Sequence, residues 1–167
     1  MKNKLVNMQQ KKLIVAWEEF KSLTDLLPKE ETLLKLAQSS LKNAYAPYSN
    51  FQVGAAILLE NGVMVGGSNQ ENAAYPMCLC AERVALSAVA SQYPNSIIKA
   101  MAITVKAPNQ IIRQPAMPCG SCRQALCEKE YHQKEKIRLV IRGEEGPIYC
   151  FQSAKEILPF SFDASFL

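Results

Sequence analysis

Histidine is almost missing from this chain: His132 is the single one in 167 residues. Any metal site or acid–base mechanism that needs two histidines is thereby excluded, so a bound metal must take most of its ligands from cysteine. Cysteine is itself missing from the first 77 residues. All six, Cys78, Cys80, Cys119, Cys122, Cys127 and Cys150, lie beyond that point, and bridges among them cannot staple the whole chain. No apolar run approaches the roughly 20 residues of a membrane span. No secretory signal is visible, because polar residues at 9–12 interrupt the apolar positions after Lys2 and Lys4. A cytoplasmic, reducing setting is expected, with free thiols or thiolate–metal bonds rather than disulfides. A large charge of one sign is also lacking. The net charge of +4 falls short of what obligatory nucleic-acid binding demands, so no nucleic-acid partner is expected.

What is present is an ordinary globular composition. An apolar fraction of 49% excludes wholesale disorder and suffices for one domain with a buried core. Residues 1–27 place Leu5, Met8, Val15, Ala16 and Leu23 along one imperfect stripe and Leu13, Trp17 and Phe20 along another. That pattern predicts an amphipathic helix ended by Pro28. A second helix is expected over 29–45, where Leu33, Leu34, Ala37, Leu41 and Ala44 recur at helical spacing. A hairpin follows, with strands at 51–59 and 63–67 about Glu60-Asn61-Gly62. Then come a helix at 80–91, a buried strand at 97–105, a loop at 108–118 and a helix over 119–131. Strands at 137–141 and 148–151 precede a short helix opened by Ser153-Ala-Lys-Glu156, which has the capping-box spacing. The expected fold class is α/β, a single mixed five-stranded sheet sandwiched by helices. Residues 1–28 form an extra N-terminal helical extension on a domain spanning 29–167.

Two segments carry chemistry, Cys80-Ala81-Glu82 and Pro118-Cys119-Gly120-Ser121-Cys122. Each follows a loop and opens a predicted helix. Cys119 and Cys122 have the two-residue spacing that lets both thiolates reach one ion, and Cys80 supplies a third. Three protein ligands leave one tetrahedral position open, the arrangement of a catalytic zinc rather than a structural one. Glu82 sits two residues past a ligand, where a carboxylate shuttles protons for an attacking water. Three thiolates and Zn²⁺ sum to −1, which dulls the metal as a Lewis acid. Two helix N-termini aimed at the sulfurs, and Arg83 and Arg123 beside them, offset that charge. A closed four-thiolate site that includes Cys78 is the alternative, and it leaves Glu82 without a role. Cys127 and Cys150 fall in apolar or helical surroundings and are expected in the core. His132, among Gln133, Lys134, Glu135 and Lys136, is expected on the surface.

These residues resemble the zinc deaminase signature, a Cys-Ala-Glu segment followed by Pro-Cys-x-x-Cys with a non-ligand glutamate. More narrowly, the chain resembles the small, three-cysteine, homotetrameric cytidine deaminases. The resemblance runs from about Tyr45 to the C-terminus through Tyr45-Ala-Pro-Tyr-Ser-Asn-Phe51, Asn69-Gln-Glu71-Asn, Cys80-Ala-Glu-Arg83, Pro118-Cys-Gly-Ser-Cys-Arg-Gln124 and Leu158-Pro-Phe-Ser-Phe162. It implies a three-layer deaminase fold, one zinc per chain on Cys80, Cys119 and Cys122, and hydrolytic deamination of cytidine and deoxycytidine with Glu82 as base and then acid. It further implies that Asn69 and Glu71 grip the ribose 3′-hydroxyl and that Phe51 stacks on the pyrimidine. The Ala81 amide meets the base, Arg83 contacts the cysteine ligands, and Tyr75 and Phe162 act across subunit boundaries of a homotetramer. Residues 1–28 depart from the family pattern. A polynucleotide deaminase and a non-enzymatic zinc module share parts of the motif. The first needs a basic, aromatic strand-binding surface, and the second needs Cys78 as a ligand.

Overall fold

The computed structural model describes residues 8–167. Among them, six strands make one mixed sheet. They are β1 (Glu18–Phe20), β2 (Gln52–Leu59), β3 (Met64–Ser68), β4 (Ile98–Lys106), β5 (Arg138–Arg142) and β6 (Ile148–Phe151), in spatial order β1-β6-β5-β4-β2-β3. The β4–β5 pair is parallel, and every other pair is antiparallel. Three helices cover the sheet: α1 (Pro28–Ser40), α2 (Ala81–Gln92) and α3 (Gly120–Gln133).

Both faces of the central strands are buried, and strict alternation divides their side chains between two cores. Ala55, Ile57 and Leu59 of β2, Met101 and Ile103 of β4, and Leu139 and Ile141 of β5 pack with Ala81, Ala85, Val89, Leu126 and Cys127 of α2 and α3. The intervening Ala56, Leu58, Ala100, Ala102 and Val140 pack with Leu33, Leu34 and Ala37 of α1. Small residues let the helices approach closely. A Cβ on Gly54 would lie 2.0 Å from the Ala37 carbonyl oxygen of α1, and one on Gly67 would lie 2.7 Å from the Ala81 carbonyl oxygen. Gly67 thus fixes the start of α2, which carries part of the candidate site.

The predicted hairpin forms with Gly62 at φ 85°, the left-handed conformation its turn requires. Pro28 opens α1 rather than preceding it, in the first helical turn where its missing N–H is never needed. Ser153 caps the short final turn by accepting from Lys155 N at 3.2 Å.

Two expectations need correction. The sheet has six strands rather than five. The sixth comes from the segment expected to be a helix: residues 8–17 have no regular structure, and Glu18–Phe20 pair antiparallel with β6, Glu18 opposite Cys150 and Phe20 opposite Ile148. The part of that predicted helix over residues 1–7, including Leu5, lies outside the described residues. The physical reason is packing. Residues 11–19 are all exposed and bury no continuous apolar face, and a helix without such a face has little stability of its own. The exposed edge of β6 offers backbone hydrogen bonds instead. Arg138 reinforces the arrangement, pairing with Glu18 of β1 at 2.6 Å and with buried Glu30 of α1. Trp17 lies tilted against Tyr149 and Phe151, with ring centroids 5.7 and 6.4 Å away.

Candidate active site

Cys80 is the N-cap of α2 and Cys119 the N-cap of α3, while Cys122 lies in the first turn of α3. Cys80 and Cys119 therefore stand at the positive ends of two helix dipoles, which favours their anionic forms. The three Sγ atoms lie within 4.8 Å of one another, and Cys80 and Cys119 are 3.8 Å apart. A tetrahedral zinc with bonds of about 2.3 Å holds its sulfurs about 3.8 Å apart, so the cluster fits that ion. The donor chemistry agrees. The Cys80 thiol is pushed down to about 6, chiefly because Cys122 donates a hydrogen bond to it. Cys122 is pushed up by the reciprocal interaction and by burial. Within the cluster Cys80 is thus the thiol readiest to ionise, and its neighbours share their protons with it. Arg83 adds a second sign. Its Nη2 donates to the Cys78 carbonyl at 3.1 Å, yet its buried Nε has no hydrogen-bond partner, and its charge helps hold the Cys80 thiol down.

Cys78 stays out of the cluster. Its sulfur accepts from Asn72 N at 3.2 Å and donates to the Asn72 carbonyl at 3.6 Å, bracing the 72–78 loop. Cys127 and Cys150 are buried, and His132 is exposed. Glu82, in the first turn of α2, is 4% exposed, and desolvation raises its carboxyl above the ordinary value.

A cavity of about 320 Å³ opens over the cluster. Phe51, Asn69, Glu71, Cys80, Glu82 and Cys119 all line it, and Ala81 is buried at the start of α2 beside it. Glu82 and three of the expected substrate contacts thus converge with two of the expected ligands. Asn69 is engaged on both sides: Oδ1 accepts from Val53 N at 2.8 Å and Nδ2 donates to the Phe51 carbonyl at 2.9 Å. It fixes the backbone that presents Phe51, and one donor and one acceptor of the amide remain for a ligand. Glu71 accepts from Tyr48 N at 2.9 Å, from Ser49 N at 3.3 Å and from the Ser49 hydroxyl. The Ser49 hydrogen bond above all holds its carboxyl below the ordinary value, so it is anionic at the cavity.

Tyr75 and Phe162 are not brought to this cavity. Tyr75 is 72% exposed and packs edge-on to Tyr48, with centroids 6.2 Å apart. Phe162 is 59% exposed and stacks on Phe166 at 5.5 Å. The sequence reading missed Val53, Ile103, Val105, Ala116 and Met117, which also line the cavity. Ala116 and Met117 immediately precede the Pro118-Cys119 motif, and that adjacency was the available signal. Val53, Ile103 and Val105 look like any buried strand residue.

Comparison with known proteins agrees with this geometry. A family described as the cytidine and deoxycytidylate deaminase zinc-binding region matches residues 27–134. A cytidine deaminase of Halalkalibacterium halodurans is 42% identical over 98 residues, covering 59% of this chain and 70% of that protein. One from Mycoplasma genitalium is 34% identical over 133 residues, covering 80% and 88%. The crystal structure of a cytidine deaminase from Burkholderia pseudomallei superposes with a TM-score of 0.67 at 37% identity, covering 78% of this chain and 97% of that one. A three-thiolate cluster on two helix starts, a buried glutamate beside it and these likenesses together place the chain in the cytidine and deoxycytidylate deaminase family of zinc-binding proteins.

Proposed function

We propose that this protein is a zinc-dependent cytidine deaminase that hydrolyses cytidine and deoxycytidine to uridine and deoxyuridine with release of ammonia, a step of pyrimidine salvage. The observation that carries this reading is Glu82, a buried carboxyl with raised proton affinity, in one cavity with Cys80 and Cys119. Cys80, Cys119 and Cys122 hold one zinc per chain. Bound there, zinc supplies a Lewis acid that lowers the pKa of water and makes a nucleophile available at neutral pH. Glu82 takes a proton from the attacking water as C4 of the base is attacked. It passes that proton to N3, then takes the second proton from the hydroxyl now on C4 and passes it to the amino group, so that the C4 carbonyl forms as ammonia leaves. The raised affinity suits a group that must be base first and acid second.

The remaining residues orient the substrate. The Ala81 N–H, at the first position of α2, has no acceptor within its helix and is free to meet the base. Phe51 offers a face for stacking. Asn69 and Glu71 give a 3′-hydroxyl a donor and two acceptors. An anionic Glu71 at the cavity also disfavours a phosphate there, which supports a free nucleoside over a polynucleotide. Arg83 carries positive charge beside the thiolates. The exposed apolar side chains of Tyr75, Met77, Phe160, Phe162 and Phe166 support association between copies of this chain, and the resemblance to the family supports a cytoplasmic homotetramer in which Tyr75 and Phe162 complete neighbouring sites.

Glu82→Gln is expected to retain zinc, counted per chain, and to lose almost all turnover. Activity above about a tenth of the parent removes Glu82 from this role. Ammonia release from cytidine, deoxycytidine, cytosine and adenosine tests the substrate class, with release from cytosine or adenosine alone overturning it. Sedimentation of the loaded protein as a monomer overturns the assembly.

A further inference from the structure

Cys122 is followed by two residues whose side chains leave the helix for distant backbone. Arg123 Nε donates to the Pro118 carbonyl at 2.8 Å, and its Nη1 donates to the Ile157 carbonyl at 2.9 Å. Gln124 Nε2 donates to the Phe162 carbonyl at 2.7 Å. Two consecutive side chains near the start of α3 thus grip the segment from Ile157 to Phe162 at both ends. The first of them also grips the residue that enters the Cys119 turn.

The segment between the two grips is strained. Phe160 has φ 61°, the left-handed region, and a bulky residue there is an outlier. Its ring is 95% exposed, so no packing of the ring holds it in place. Such a conformation persists only where its surroundings over-determine it, and the two carbonyl anchors provide that restraint. Pro118 is buried, and its carbonyl accepts from Arg123. Fixing that carbonyl fixes the peptide that leads into the N-cap thiol of Cys119. The guanidinium does this because its nitrogens form a rigid fork that reaches two acceptors at once. Lysine ends in a single nitrogen and cannot span both.

We propose that Arg123 and Gln124 are positioning residues that make the Cys119–Cys122 turn and the C-terminal segment one unit, Arg123 holding the metal turn and Gln124 setting the place of Phe162. The inference rests on the assignment of Cys119 and Cys122 as zinc ligands and of Phe162 as a substrate contact. Neither arginine nor glutamine touches the reacting atoms.

The test uses full-length, zinc-loaded protein and three variants, Arg123→Ala, Arg123→Lys and Gln124→Leu. Zinc transfer to a chromogenic chelator, hydrogen exchange of residues 158–166, and kcat and KM for cytidine are measured. Arg123→Lys is expected to release zinc about tenfold faster or more, the usual consequence of removing a group that orients a ligand. Arg123→Ala is expected to do at least the same, and Arg123→Lys stands alone if the alanine variant does not fold. Gln124→Leu is expected to keep zinc release within twofold and to speed exchange of 158–166. It should raise KM at least threefold with kcat within twofold, whereas a merely structural role would move thermal stability alone. Zinc release within twofold of the parent for Arg123→Lys overturns the first half. Unchanged exchange in Gln124→Leu, or kcat and KM falling together, overturns the second. If the parent turns over no cytidine while zinc release and exchange shift as expected, the functional reading and the substrate role of Phe162 fail, and the holding of the zinc turn by Arg123 and of residues 158–166 by Gln124 stands.

Discussion

Glu130 of α3 is a buried carboxylate with three donors around it: Ile137 N at 2.6 Å, Ser153 Oγ at 2.8 Å and Ala154 N at 2.8 Å. It is 5% exposed and ties the end of α3 to the start of β5 and to the final turn. Removing it strands three buried donors, each of which costs about 1–3 kcal/mol when unmet. Glu130→Ala is therefore expected to lose about 3 kcal/mol or more in urea unfolding. Glu130→Gln should lose about 1 kcal/mol, because it keeps an acceptor for the backbone and the Ser153 hydroxyl can turn to accept. Cys150 makes a second case. Burial pushes its thiol up to about 12 from 9.0. The unfolded chain thus ionises first, and the stability present in full below pH 9 is lost as pH rises toward 12. Cys150→Ala should flatten that loss, read as urea midpoints at pH 8 and pH 10.5. The two residues mark the limit of a one-dimensional reading. The clustering of Cys119 and Cys122 was legible because CxxC spacing is itself their geometry, and the burial of Cys150 because a small apolar residue in a strand has one natural place. Glu130 was not legible, since its partners stand 7 to 24 positions away and its own neighbours, Glu128, Lys129, Tyr131 and His132, look like a solvated helix face.

Helix α2 was legible as an element because it has an apolar side, and α3 because it opens on the Cys119 motif and runs to the polar stretch around His132 without a proline. Strand β1 was not. Three residues carry no period, and what selects a strand there is the free edge of β6 and the charge of Arg138, both well over a hundred residues later. Arg138 separates the contributions. Glu18 is half-exposed and Glu30 buried, and an exposed pair is worth about 0–1 kcal/mol while a buried charge left alone costs about 3–5 kcal/mol. Glu18→Ala should lower stability by less than about 1 kcal/mol and Arg138→Ala by about 3 kcal/mol, both measured by urea unfolding. Near-equal losses would mean that the arm, rather than Glu30, is the main beneficiary of Arg138.

Across the whole molecule, the alternation of β2, β4 and β5 between two cores explains why the α/β class was readable: continuous apolar runs mean strands buried on both faces. Strand number was not readable, because it depended on a segment with no core of its own. That segment has a further consequence. A sheet ends in unpaired backbone groups, and an open edge is a template for another chain. Without β1, the short and mostly buried β6, Ile-Tyr-Cys-Phe, would form that edge, an apolar run with no charge to repel a neighbour. With β1 in place the last strand is Glu18-Glu19-Phe20, and two carboxylates stand where a second molecule would dock. Removing residues 1–20 is thus expected to leave the zinc cluster loaded and the monomer fold intact. Light scattering of that variant should then grow with concentration and time while the parent stays clear, and clear solutions of both would deny the arm this part. On the first outcome Glu18–Phe20 would be a guard on solubility, keeping a strand that the chain needs inside from becoming one that other chains can find.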